Sequence, residues 1–205
     1  MLVAALLAAL TLGAASPQAT QPRFNATIER VTWADLRYSY REGCPVGPAQ
    51  LRTVVVSYWD FRRRPQSGRL VVARAHAPKL ATVFRRLWDA KFPVQRVEPV
   101  SRYRGSDDAS MAADNTSGFN CRFVGGTRRW SMHAFGEAVD VNPVENPYVR
   151  GSYVSPAAGR AYLDRSRYRS GMAVAGGVLV RAFAAVGWKW GGSFGDYQHF
   201  STNGR

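Results

Sequence analysis

Two runs of β-branched and aromatic residues, separated by a short polar turn, constrain this chain more than any other feature. Residues 53–61 read TVVVSYWDF, residues 62–68 carry Pro65 and Gly68, and residues 69–75 read RLVVARA. Such runs fit a pleated, half-buried surface, so the pattern predicts an antiparallel hairpin. The period then changes. Leu80, Val83, Phe84, Leu87 and Trp88 recur at three- and four-residue intervals, which predicts an amphipathic helix over 79–90.

The rest of the chain alternates in the same mixed way. A short helix is expected over 28–40 and a strand over 95–103. Polar loops are expected over 106–117 and, with three prolines, over 143–164. Residues 137–142 read as a strand. Residues 172–186 read as a helix closed by Gly187, and 197–201 as a terminal strand. Hairpin strands with separate helices predict an α+β domain over 28–205. The chain has 205 residues, 46% of them hydrophobic, with six Trp, nine Tyr and ten Phe. That is ample for one core.

Residues 1–15, MLVAALLAALTLGAA, are uncharged and apolar and end in small residues. The run is too short to span a bilayer and suits a secretion signal, although no basic residue precedes it. Residues 16–27 then read as a linker. The mature protein is expected to be extracytoplasmic, cell-wall associated, monomeric and without a membrane span. In an oxidising compartment, Cys44 and Cys121 are expected to pair. The long loop they close is worth about 4–5 kcal/mol on the chain-entropy treatment.

The net charge is +14. The arginines are scattered, with no continuous track beyond Arg62-Arg63-Arg64, and the export signal argues against a nucleic-acid partner. Anionic cell-wall polymers are the better expectation, because a cationic protein concentrates on them.

Only three histidines occur. His76, in ARAHAPKL, is read as an ordinary core or surface histidine. The other two sit in dense motifs, SMHAFGEAVDVN at 131–142 and GWKWGGSFGDYQHF at 187–200. Alternation in the first motif puts Val139 and Val141 on one face and Ala138, Asp140 and Asn142 on the other. Asp140 therefore points away from the buried valines, and Gly136 lets the chain turn back toward His133. His133, Asp140 and His199 make a three-donor set that leaves one position of a zinc ion open, the mark of a catalytic site. Asp196 is then free to act as a base. Alternation alone would put Asp196 and His199 on opposite faces, so a turn is required between them, and Gly195 allows it. Trp188 and Trp190 share a face and are core or cleft wall. Residues 142–149, NPVENPYV, read as a rigid loop beside the site.

The first motif resembles the SxHxxGxAxD signature of the zinc D,D-carboxypeptidase and L-alanyl-D-glutamate peptidase family (peptidase family M15, VanY-like). The second is similar to that family's closing Trp-Gly segment and DxxHF. The resemblance runs from about Cys44 to the C-terminus. It implies a small α+β domain with a central antiparallel sheet and flanking helices. It also implies one Zn2+ per chain held by His133, Asp140 and His199, with Asp196 as catalytic base, and peptidoglycan stem peptides as substrate. The activity implied is that of a D-alanyl-D-alanine carboxypeptidase or an L-alanyl-D-glutamate endopeptidase; the alternative is a non-catalytic peptidoglycan-binding module of the same fold. Relatives carry a substrate arginine in a GYRS-like segment, for which SRYRGS with Arg104 and SGFNCR with Arg122 compete. Arg122 is favoured because Cys121 would tether it. Ser131 is expected to hydrogen-bond substrate or to serve as a turn residue.

Overall fold

The structure is a computed structural model that describes residues 21–205. The expected signal over 1–15 lies outside the described residues. The hairpin forms as expected: β2 (Leu51–Trp59) pairs antiparallel with β3 (Pro65–Ala73), and β1 (Ala26–Arg30) adds to the other edge of β2. The register sets Val54 opposite Leu70 and Val56 opposite Gly68. Val54, Val56, Leu70 and Val72 are all buried. Against this face lies the helix expected from the 3.6-residue period. It is α2 (Ala77–Asp89) and buries Leu80, Val83, Phe84, Leu87 and Trp88. Each such side chain contributes about 1.5–3 kcal/mol of transfer free energy.

A second three-stranded sheet completes the core. β4 (Ala138–Asp140), β8 (His199–Ser201) and β7 (Lys189–Trp190) lie in the order β4-β8-β7, all antiparallel. Val139, Val141 and Phe200 join the same hydrophobic cluster as α2 and as α4 (Val178–Ala184). Phe183 of α4 stacks on Phe200 at 4.1 Å. A separate hairpin, β5 (Tyr148–Arg150) with β6 (Tyr153–Ser155), projects beside β8. The class is α+β, with two three-stranded antiparallel sheets sharing one core and two further strands in the separate hairpin, rather than one central sheet.

Several elements differ from expectation. The 28–40 helix shrinks to α1 (Trp33–Leu36), closed by a capping box between Thr32 and Asp35. Residues 26–30, including the end of the expected linker, are instead strand, because the free edge of β2 offers a ladder from Ala26↔Val56 to Arg30↔Arg52. The 95–103 strand reduces to one bridge, Val97↔Thr116, followed by a 3-10 turn over Val100–Tyr103. Pro99, at the N-cap of that turn, has no N–H to extend a ladder. The 106–117 loop contains α3 (Asp107–Ala112), whose N-cap Ser106 accepts from the Ala109 N–H at 3.1 Å. The proline-rich 143–164 stretch contains the β5–β6 hairpin. The last helix starts only at Val178, after the flexible pair Gly176-Gly177, which costs helix propensity. Its end is as expected: Gly187 has φ +82°, with Gly187 N–H on Ala184 O and Trp188 N–H on Phe183 O.

Cys44 and Cys121 are bonded, with their Cα atoms 5.9 Å apart. The bridge borders a small second core of Leu36, Leu51, Val71 and Phe119. Among the described residues no helix is long and apolar enough to cross a membrane.

Gly136 joins the two sheets. Its φ is +68°, its carbonyl accepts from the Ala73 N–H of β3 at 2.9 Å, and a Cβ there would lie 2.5 Å from that same nitrogen. Gly136→Ala should therefore lower unfolding free energy by about 2 kcal/mol or more in urea titration. An unchanged midpoint would show that the left-handed turn is not needed.

Candidate metal centre

Local structure aims each donor before any long-range contact forms. Ser131 caps the 3-10 turn Met132–Phe135, its hydroxyl accepting from the His133 N–H at 3.3 Å. Gly136 ends that turn in the left-handed conformation, and the chain runs straight into β4. The β4–β8 register places Asp140 directly opposite His199. Directly opposed residues of an antiparallel pair project to the same face. Val139 and Phe200, also opposed, take the core face, so Asp140 and His199 share the other.

The result is one carboxylate held between two imidazoles. Asp140 Oδ2 lies 3.1 Å from His133 Nε2, and Oδ1 lies 3.0 Å from His199 Nδ1. All three side chains are buried, at 2%, 4% and 6% exposure for His133, Asp140 and His199, so bulk water does not compensate their charges. Burial by itself raises the Asp140 pKa, but the two imidazoles beside it outweigh burial and hold the carboxyl well below the usual range. Burial lowers the His199 pKa, and the Asp140 hydrogen bond and charge reverse that and raise it.

The donor atoms themselves ask for a cation. His133 Nδ1 donates to the Gly118 carbonyl at 2.6 Å. In the neutral ring Nε2 is then a bare lone pair, and it is buried without a hydrogen-bond partner, facing a carboxylate oxygen. His199 Nε2 is also buried without one. One ligand atom from each residue falls within a 4.8 Å span. Tetrahedral zinc with bonds of about 2.1 Å separates its ligands by about 3.4 Å. The set fits such an ion, and the carbonyl on His133 Nδ1 is the outer contact that typically orients a metal-bound histidine.

Asp196 reaches the same place by the required turn. Gly195 has φ +82°, and a Cβ there would lie 2.4 Å from the Val149 carbonyl. The His199 N–H then closes back on Asp196 O at 3.3 Å. Asp196 Oδ1 is buried and unpartnered. Burial, then the Asp140 charge, push its carboxyl up to about 6, against the pull of His199, His133 and Arg122. Arg122 is thus near enough to act on Asp196. Its terminal nitrogen pairs with Asp107 at 2.9 Å, and its Nε is buried without a partner. Arg104 is exposed, in a left-handed cap, and is not brought to the site. His76 stands apart as well, edge-on to Trp188 and 3.9 Å from Glu137.

Other sequence expectations are refined. Ser131 is buried and caps the histidine turn, the second of its two expected uses. Trp188 belongs to the core, whereas Trp190 donates to the Tyr197 carbonyl at 2.8 Å and so braces the turn between Asp196 and His199. The loop after β4 is held as expected. Asn142 and Asn146 both donate to Gly171 O, and Arg165 reaches Glu145 O, Asn146 Oδ1 and Ala173 O. Sequence reading missed Gly118, whose contribution is a backbone carbonyl, and Asp107, whose only signal was an acidic residue after a capping serine.

Residues 125–202 match the family model described as D-alanyl-D-alanine carboxypeptidase. That span contains His133, Asp140, Asp196 and His199, so the match supports the M15, VanY-like family that the two motifs resemble. No curated protein and no solved structure matches the chain.

Elemental analysis of purified protein should find about one divalent metal ion per chain. His133→Ala, Asp140→Ala and His199→Ala should each lose it. Stoichiometric metal in all three variants would refute this donor set.

Proposed function

We propose that this chain is an exported zinc peptidase that hydrolyses peptide bonds in the stem peptides of bacterial peptidoglycan, acting as a monomer at the cell wall. The observation that carries this reading is the bare, buried Nε2 of His133 facing Asp140, with an unpartnered Asp196 carboxylate beside them. A binding module of the same fold has no use for a buried base, which weighs against the non-catalytic alternative.

In this reading His133, Asp140 and His199 hold one zinc ion. When bound, zinc supplies Lewis-acid chemistry, polarising a carbonyl and making water a stronger acid. The remaining roles belong to the chain. Asp196 takes a proton from the attacking water as its oxygen adds to the peptide carbonyl carbon. It returns that proton to the amine nitrogen as the C–N bond breaks. A raised carboxyl suits this exchange, since it is a stronger base toward water than an ordinary aspartate and, at about 6, is still acidic enough to pass the proton on to the more basic amine. Arg122, held at one end by Asp107, directs its remaining donors at the substrate carboxylate or at the developing oxyanion.

A D-alanyl-D-alanine carboxypeptidase is the preferred form, supported by the description of the matching family and by a guanidinium able to hold a terminal carboxylate. Incubation with a defined pentapeptide muropeptide should then release free D-alanine. Cleavage after the first L-alanine would assign the endopeptidase form instead, and no cleavage of any stem-peptide bond by metal-replete protein would overturn the reading.

Asp196→Ala should keep stoichiometric zinc and lose about 10²–10⁴-fold in kcat. Lost zinc would make Asp196 a ligand, and unchanged turnover a bystander. Arg122→Ala should impair kcat/KM far more than Arg104→Ala, measured on the same substrate; the reverse order would move the substrate arginine to the 101–106 segment.

A further inference from the structure

The only run of three consecutive basic residues in the sequence, Arg62-Arg63-Arg64, takes no part in the proposed reaction. It forms the turn between β2 and β3. Asp60 organises that turn and is used up in doing so. Its Oδ1 accepts from the backbone N–H groups of Arg62 and Arg64, at 2.8 and 2.9 Å. Its Oδ2 accepts from Arg64 Nε at 2.8 Å and from Gln66 at 3.3 Å.

Beside this turn lies a cavity of about 620 Å³, bounded on its far side by Gln95 and Arg96. Its lining brings together Arg62, Arg64 and Arg96 against the single charge of Asp60, which Arg64 already neutralises. Arg62 makes no ion pair among the described residues. The carboxylate paired with Arg96, that of Glu98, is 3.9 Å away and itself accepts from the Tyr103 hydroxyl. Arg62 is therefore left without a counter-charge and Arg96 with only a distant one, so the three guanidinium groups of this concavity outnumber the one carboxylate that lines it.

Guanidinium forks match phosphate oxygens in pairs. The volume is that of a drug-sized ligand and exceeds what a lone ion needs. The rings in the wall are buried Tyr58 and half-buried Phe61. With Tyr58 buried, the wall offers no pair of open rings on which successive nucleic-acid bases could stack.

We propose that this cavity is an anchoring site for a phosphodiester polyanion of the kind that lacks bases, such as a poly(glycerol phosphate) chain, and that it is separate from the metal centre. It fits an enzyme that works on an anionic wall, but it does not depend on the reaction proposed above, because binding is read without turnover.

The test is titration of the protein with poly(glycerol phosphate) and, in parallel, with single-stranded DNA of equal charge. The protein is compared with the double variant Arg62→Ala/Arg96→Ala. The variant should bind the polymer at least tenfold more weakly while retaining its metal content and thermal midpoint, and binding by the parent should weaken as salt rises. A control variant with the same change in net charge, Arg128→Ala/Arg167→Ala, removes exposed arginines outside the cavity and should bind like the parent. Equal affinity in parent and Arg62/Arg96 variant, or an equal loss in the control, would overturn the site. DNA binding as tight as polymer binding would overturn the assignment of its ligand.

Discussion

The buried carboxylate of Asp140 is the constraint on which the rest of the structure depends. An ionised group removed from water is tolerated only when partners replace its hydration. Here the His199 Nδ1–H donates to one oxygen at 3.0 Å, while the bare His133 Nε2 stands 3.1 Å from the other, a gap that a cation would fill, and the two imidazoles come from different parts of the chain. Each is fixed independently. His199 is fixed by strand register opposite Asp140, and His133 by the Ser131 cap on one side and the Gly118 carbonyl on the other. Because that carbonyl occupies His133 Nδ1, the free lone pair must face inward. The tautomer that lets the cluster accept a cation is thus imposed by a backbone group.

The surrounding fold serves to hold this small arrangement still. Val139 and Phe200, between and beside the donors in sequence, bury themselves against α2 and α4, so the strands that carry Asp140 and His199 cannot rotate without opening the core. The β5–β6 hairpin then closes over the Asp196 segment. Val149 N–H donates to Gly195 O at 2.8 Å, and Arg165 lies over the Tyr197 ring at 4.5 Å. The Cys44–Cys121 bridge stiffens the segment that bears Arg122. Catalytic groups of this kind need positions held to a fraction of an ångström, and each here is held from at least two directions.

The excess positive charge has more than one use. Part of it is spent in structural pairs, such as Arg69 with Asp35 and Glu29, and Arg64 with Asp60. Arg122 lies near the candidate metal centre, Arg62 has no ion pair among the described residues, and Arg96 reaches Glu98 only at 3.9 Å. A net charge read from composition suggested an anionic partner, but composition could not say which arginines were free. That depends on which carboxylates lie within reach, a property of packing.

Strongly periodic segments were legible in the sequence because their own pattern decides them: the β2–β3 hairpin, α2 and the Gly187 helix end follow from spacing and from glycine's left-handed conformation. That His133, Asp140 and His199 could form one metal-binding group was legible for a related reason, since two short motifs concentrate the residue types a metal requires. Residues 26–30 were read as the end of a linker and the start of a helix because their strand exists only through pairing with β2. The 95–103 segment was misread as strand because its apolar residues pack without a neighbouring ladder. By itself, then, the sequence determined the chemical types at the site and the turns that local glycines permit. Tertiary structure alone decided that Asp140 stands opposite His199, that Gly118 directs the lone pair of His133, and that Asp107 holds Arg122. These depend on contacts between residues far apart in the chain, and no local pattern of side chains encodes a backbone carbonyl or a strand register.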